Sequence, residues 1–365
     1  MKSIWLFACF LLALSSSFAK AERQDRIGVL FGSFGDIDHP EIELQGFLRN
    51  TLTDPDVLPL HPWLSASIAD LGWYIERRGL LEEYAAIGGG SGMRQRSAVQ
   101  AEAVADALRA EGYDAKSYVG FTMTQPFVKD ALARAQADQV KRLVVGYQGA
   151  QYSKVTAQIV FRHVREYLAA HPEWQVDVVG IRSFSDDRRF LDLLTKRIDS
   201  GLSNSFPNID TKKLCVFLPM HGLVNRLVKE GDPYVPQVLR NVEALKEYYG
   251  ADRVHFGFQN HDEIPFLGWT RPNTDDALTQ VVQSGCSGVL INGLVSFTVD
   301  SLETLYDHQI DEPNRIADEA KRLGKPAPKV VVQSMFNADA DFVALMGELI
   351  IEALGGRGDL ENLRQ

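Results

Sequence analysis

The segment Lys213-Leu214-Cys215-Val216-Phe217-Leu218-Pro219-Met220-His221-Gly222 decides the fold. Its apolar run, read as a strand over Lys213–Pro219, has no polar alternation, and Met220, His221 and Gly222 follow at its end. A strand apolar on both faces belongs in a parallel sheet covered by helices on each side. Similar runs recur at Ile27–Ser33, Ala115–Gly120, Arg142–Tyr147, Gln175–Ile181, Arg253–Gln259, Gly288–Asn292 and Lys329–Gln333. Between them, apolar residues fall at helical spacing over Ser97–Glu111, Pro126–Ala137, Val235–Tyr249, Thr274–Ser284 and Asp341–Leu354. Pro126 suits a first helical position, where its missing donor would be unpaired in any case.

This alternation predicts an α/β fold of two Rossmann-like lobes, each a parallel sheet flanked by helices. The active-site cleft is expected between them, at the carboxyl ends of the strands. The division is placed near His171-Pro172. The N-terminal lobe then covers 22–171 and the C-terminal lobe 172–340, with the final helix, 341–354, packing back on the first lobe. No Pro-, Gly- or Ser-rich linker separates them, which predicts a broad shared interface.

The chain of 365 residues is 45% hydrophobic and 24% charged, an ordinary globular composition that excludes collagen-like, coiled-coil and disordered classes. Its formal charge of −10 argues against a nucleic-acid partner, which calls for a basic surface. The amino terminus is an address. Lys2 precedes the apolar run Ile4–Leu14, and Ala19-Lys20-Ala21 supplies a cleavage step before Glu22. Residues 1–21 are therefore expected to be a cleavable signal peptide, and the mature protein periplasmic or secreted. The run is short of the roughly 20 residues that span a bilayer, and no later segment is long enough, so no stable membrane span is expected. Cys215 and Cys286 lie in apolar runs and are expected to be buried free thiols. They are too few for an iron–sulfur cluster.

Three segments carry chemistry. Ile87-Gly88-Gly89-Gly90-Ser91-Gly92 precedes a helix, but Met93 breaks the dinucleotide pattern and no Gly-Lys-Ser/Thr follows. It is expected to be a flexible loop that lets backbone approach a flat ligand or the other lobe, with Arg94 and Arg96 able to meet an anionic group. His221 ends a strand at the cleft side, where an imidazole can take a proton or bind a metal; the plainer alternative is a hydrogen-bonded loop histidine. Glu303, Asp307 and Asp311 are spaced by four, which on an α-helix puts three carboxylates on one face. That row is either a path for a divalent cation or a solvated acidic face. There is no Gly-x-Ser-x-Gly, His-Glu-x-x-His or Cys-x-x-Cys, so the common hydrolase, metalloprotease and redox readings lack support.

Taken together, the mature chain resembles the ferrochelatases. The resemblance rests on Ile27–Gly35, Ile87–Ser91 with Gln100, Tyr118-Val119-Gly120-Phe121, Gln125-Pro126 and Ala150-Gln151-Tyr152-Ser153. Its strongest part is His221, Gly231-Asp232-Pro233-Tyr234, Gln259, Pro272-x-Thr274-Asp275 and Phe297-Thr298-x-Asp300-x-x-Glu303-Thr304-Leu305-Tyr306. The resemblance implies insertion of a divalent metal, Fe2+ first, into protoporphyrin, with the metal as substrate and no cofactor required. It implies His221 and Glu303 as the catalytic pair and as metal ligands, with Asp307 and Asp311 as further metal ligands. It further implies Ser91, Arg94, Tyr152, Ser153, Phe297 and Ser301 on the porphyrin side. Ser301 stands where the family has an active-site histidine. Pro265-Phe266-Leu267 and Thr122-Met123 depart from it around the same cleft. Two other readings stay open: a chelatase for cobalt or nickel and another tetrapyrrole, and an exported carrier of haem, porphyrin or metal that does no chemistry.

The export reading predicts that amino-terminal sequencing of the secreted protein starts at Glu22. An intact Met1 on a cytosolic protein would refute it.

Overall fold

The computed structural model describes residues 25–259 and 268–364; the signal segment 1–21 and Pro265-Phe266-Leu267 lie outside them. Two sheets organise the chain. The first runs β2 (Ala115–Phe121), β1 (Ile27–Ser33), β3 (Arg142–Tyr147), β4 (Asp177–Ser183), β9 (Asp359–Asn362). The second runs β6 (Val254–Gln259), β5 (Leu214–His221), β7 (Gly288–Ile291), β8 (Lys329–Val332). All pairings are parallel except that of β9, which lies antiparallel on β4. The central strands β1 and β7 are buried at every residue, and β5 at every residue except His221. This is the pattern that continuous apolar runs dictate when helices cover both faces.

The helices start where side chains satisfy their open backbone donors. Asp187 caps Arg188–Ser205 by accepting from Arg189 N at 2.8 Å. Asn273 caps Thr274–Gln283 through Asp276 N at 2.8 Å, and Asp339 caps Ala340–Leu354 through Asp341 N at 3.1 Å. Helix Val128–Ala137 starts two residues after Pro126, which is therefore not its first residue. The Pro126 carbonyl instead accepts from Phe121 N at 2.8 Å, and Asp130 Oδ2 takes the Phe127 N–H.

The boundary near His171-Pro172 falls inside the first lobe. β4 follows it in sequence but pairs with β3, so the change of sheet comes along helix Arg188–Ser205, before β5. A single hydrophobic cluster joins the lobes, from Val29 and Phe31 through Phe190, Leu194 and Phe342 to Val216 and Leu218. Helix Ala340–Leu354 packs on helix Met93–Ala110, and β9 completes the first sheet, so the carboxyl-terminal chain belongs with the amino-terminal lobe. Buried amides lock the two halves further. Gln100 Nε2 donates to Asn337 O at 2.6 Å, and Gln151 Nε2 donates to Val295 O at 2.7 Å.

The expectation of free thiols at Cys215 and Cys286 is overturned: the structure joins them in a disulfide. The register explains it. Leu214 and Cys215 pair with Gly288 and Val289 on β7. Cys286 thus sits on the approach to the neighbouring strand, and the two Cα atoms are 5.9 Å apart, within the range a disulfide bridges.

Candidate active site

The end of β5 places His221. Gly222 follows His221, and its carbonyl lies 2.7 Å from the imidazole Nδ1. A carbonyl only accepts, so Nδ1 carries the hydrogen and the lone pair of the neutral ring sits on Nε2. Nε2 lies 3.5 Å from Glu303 Oε1. On the neighbouring strand, Gln259 donates from Nε2 to Glu303 Oε2 at 2.9 Å, which fixes the carboxylate from behind. The Gln259 carbonyl oxygen accepts from His308 Nε2 at 3.0 Å. His308 is fully buried, and burial drops its pKa to about 3, so it is a neutral ring that orients Gln259.

The first lobe contributes a second carboxylate. Asp36 lies just beyond β1 and is buried. Its Oδ1 accepts from Tyr84 OH and from Ile37 N at 2.8 Å, and its Oδ2 accepts from Leu302 N at 2.7 Å. The carboxylate thereby clasps the residue just before Glu303 from across the molecule. Burial pulls the Asp36 carboxyl above its usual range, against the hydrogen bonds that hold it. Glu303 is pulled up by burial too; His221 opposes this, the charge of Asp36 reinforces it, and the Gln259 amide opposes it. One carboxylate facing the imidazole, with the charge of Asp36 acting on it from behind, makes a place that favours protons and cations.

Glu303 opens a π-helix, Glu303–Asp311, rather than the α-helix expected. The Glu312 N–H bonds to Asp307 O, five residues back, before the chain continues as α-helix Glu312–Arg322. The wider turn carries the row of carboxylates on to Glu312. Asp311 is paired with Arg315 at 3.0 Å, and Arg315 also meets Asp275. Glu312 is buried, and neither of its carboxylate oxygens has a hydrogen-bond partner among the described residues. Burial raises its carboxyl well above the usual range; Asp307 adds to this, Arg315 offsets it and Asp311 adds again.

The other expected site residues take supporting positions. Ser91 is buried beside Asp36, and Ser91 N donates to Ile37 O at 3.1 Å. The glycine loop borders the other lobe at its start, where Ile87 packs on the same hydrophobic cluster as Leu302. A Cβ on Gly90 would come within 2.3 Å of Asp38 O, so this glycine lets the loop lie on the Asp36–Asp38 backbone. Arg94 is engaged by Glu43 at 2.7 Å and by Thr124 at 3.0 Å, and Arg96 by the Ser91 carbonyl. Ser153 Oγ donates to Asp232 Oδ2 at 2.8 Å and Tyr152 N to Gln237 at 2.8 Å, so this pair clasps the segment that leads to Tyr234. Tyr234 OH lies 3.1 Å from Ser296 Oγ. Phe297 is half-buried, edge-on to His308 with ring centres 5.5 Å apart. Ser301 N donates to Thr304 Oγ1 at 2.9 Å at the mouth of the π-helix.

Sequence reasoning did not find Asp36, His308 or Glu312. A five-residue step from Glu303 to His308 signals proximity only once the helix is known to be π. The partners of Asp36 are spread along the whole chain.

Comparison with known proteins gives a consistent result. The family model described as ferrochelatase matches residues 26–354. A ferrochelatase of Rippkaea orientalis is 30% identical over 303 residues, covering 81% of this chain and 76% of its own. One from Gloeobacter violaceus is 27% identical over 332 residues, covering 90% of this chain and 98% of its own. In the solved structures, a multi-domain protein of Deinococcus radiodurans, described as structurally similar to chelatases, aligns with a TM-score of 0.51 at 13% identity. The alignment covers 93% of this chain and 56% of that one, and it speaks to the fold alone.

The orphaned Glu312 gives a stability test. Its folded-state pKa lies above the ordinary 4.5, so its burial is harmless below that value and costs stability as pH rises through the raised one. Glu312→Gln should match the parent in urea denaturation at pH about 4 and exceed it by about 1–3 kcal/mol at pH 7. A difference that does not change with pH would contradict this electrostatic account.

Proposed function

The chain belongs to the ferrochelatase family, and from that membership we propose that it catalyses the ATP-independent insertion of a divalent metal, ferrous iron, into a porphyrin. The metal is a substrate. The observation that carries the assignment of roles is the pair of bases 3.5 Å apart, His221 Nε2 and Glu303 Oε1, each held from behind by a hydrogen bond.

Insertion exchanges two pyrrole protons for one M2+. His221 takes one proton on the Nε2 lone pair. Glu303 takes the other, helped by the burial that raises its affinity for a proton. Each base must be unprotonated to act, and the same atoms suit the partly dehydrated metal before it enters the ring. Asp307 and Asp311 extend the oxygen donors along the π-helix, and oxygen suits a hard divalent ion. Metal at Asp311 competes with the Arg315 guanidinium, which makes that end a weak holding point. Phe297 and Ser301 border the pair and are assigned to the porphyrin side. Ser91, Arg94, Tyr152 and Ser153 are assigned to holding the walls that place Asp36 and Tyr234.

We also propose export. The signal-like segment 1–21 supports it, and the Cys215–Cys286 disulfide suits an oxidising compartment. No helix among the described residues is long and apolar enough to cross a membrane. The serine at 301 favours a second reading, a porphyrin or metal carrier or a chelatase for cobalt or nickel, because the family's histidine is missing there.

His221→Ala should lower the rate of metalloporphyrin formation by about 10²–10⁴-fold while the protein keeps its fold. In the parent, kcat/KM should fall on acidification, with the limb owed to Glu303 lying above the ordinary carboxyl value of 4.5 because its pKa is raised. Stopped-flow fluorescence across pH reads both. Near-normal turnover by a folded His221→Ala protein would defeat the mechanism.

A further inference from the structure

A second cluster of metal-binding side chains lies at the opposite end of β5 from His221. Cys215 stands near the start of that strand, Cys286 on the approach to β7, and His255 on β6. Ligand atoms of the three residues all lie within 4.8 Å of one another. The register accounts for this. His255 pairs with Phe217, and Cys215 is two residues before Phe217, so both side chains project from the same face of the sheet. Ser284 Oγ lies 3.3 Å from Cys286 Sγ and 3.9 Å from Cys215 Sγ.

The imidazole points to a ligand. His255 Nε2 is buried and has no hydrogen-bond partner among the described residues. A buried polar nitrogen left unpaired costs free energy, so the site is built for something the disulfide does not supply. Burial lowers the pKa of this ring, with Asp252 opposing and Lys246 reinforcing, so it stays neutral near pH 7 as a metal ligand must.

We propose that Cys215, Cys286 and His255 form a redox-gated site for a borderline-soft divalent metal such as Zn2+, closed as a disulfide and opened by reduction. Two thiolates and one imidazole are a recognised three-ligand set for tetrahedral zinc, leaving one position open to water. Tetrahedral ligands at ordinary Zn–S and Zn–N lengths stand about 3.5–3.8 Å apart, so the two sulfurs, bonded in the disulfide, part to that distance on reduction while the imidazole already lies within 4.8 Å of both. Opening the site takes two electrons and two protons, supplied by a dithiol reductant that itself becomes a disulfide. Zinc then displaces both thiol protons. The cluster is six residues along β5 from His221, about 20 Å away, so it does not feed the insertion site directly. The inference stands apart from the proposed activity.

The test uses Co2+ as a coloured substitute for zinc, on a Cys9→Ser chain that keeps Cys215 and Cys286 as its only thiols. The protein is reduced with dithiothreitol, desalted under argon and titrated. The active-site pair has no sulfur, so a sulfur-to-cobalt charge-transfer band reports this cluster alone. We expect one equivalent of Co2+ per chain with that band, its loss on adding Zn2+, and no band from the oxidised protein. His255→Asn should weaken binding at least tenfold, and Cys286→Ser, at a half-buried loop position, should abolish the band in a protein with an unchanged circular dichroism spectrum. A reduced, folded parent without the band, or a Cys286→Ser protein that retains it, would overturn the proposal. So would undiminished affinity in folded His255→Asn.

Discussion

The carboxylate of Asp36 is the constraint on which the site depends. It is buried, it is pulled toward its neutral form, and it is held by donors from three separate parts of the chain: Ile37, Tyr84 and Leu302. Leu302 N–H is the last donor before the π-helix. By anchoring it, Asp36 sets where Glu303 begins and so how far Glu303 stands from His221. Much of the first lobe converges on this one side chain. The glycine loop lies against the backbone of Ile37 and Asp38 beside it, and Ser91 and Tyr84 reach it from two different segments. Burying a carboxylate costs stability, and the hydrogen bonds from Tyr84, Leu302, Ile37 and Ser91 offset that cost.

On the other side, the same logic runs through amides rather than charges. His308 can only orient Gln259, because its ring is neutral in the core. Gln259 then has its oxygen committed and must present its NH2 group to Glu303. The carboxylate is thus turned toward the imidazole, and among the described residues no lysine or arginine is paired with it. A nearby lysine or arginine would have stabilised Glu303 more, but it would also have repelled an incoming metal ion. The π-helix lets this happen over a short stretch. Its wide turn brings His308 beneath Gln259 and keeps Glu303, Asp307 and the residues after them along one side.

Much of the fold was legible because it is written in apolar runs. The eight strands read from Val-, Ile- and Leu-rich segments all occur, within two residues at either end. What escaped was of another kind. β9, with the sequence Asp-Leu-Glu-Asn, is a polar edge strand whose pairing depends on β4 being available. The long helix Pro62–Ala86 leaves Trp63, Leu71, Tyr74 and Ile75 exposed, so its apolar residues do not mark a buried face. The lobe boundary was misplaced because β4 follows a proline break yet pairs backward. At the site, His221 and Glu303 were legible from strand ends and from motif order. Asp36 and Glu312 were not, because what singles them out is burial, and burial is decided by residues far away in sequence. The disulfide was missed for the same reason: an apolar run says that a cysteine is buried, and only the register says which cysteine it meets.

The central claim is that two facing bases make this protein a catalyst and not merely a binder of porphyrin. It is tested most directly by counting product. Protoporphyrin and Fe2+ are supplied anaerobically in large excess over the purified protein, and metalloporphyrin is followed by absorbance. The account predicts formation that continues well beyond one equivalent per chain, at a rate proportional to protein concentration. Formation that stops at one equivalent, with the porphyrin retained on the protein, would contradict it and leave a carrier in place of the enzyme.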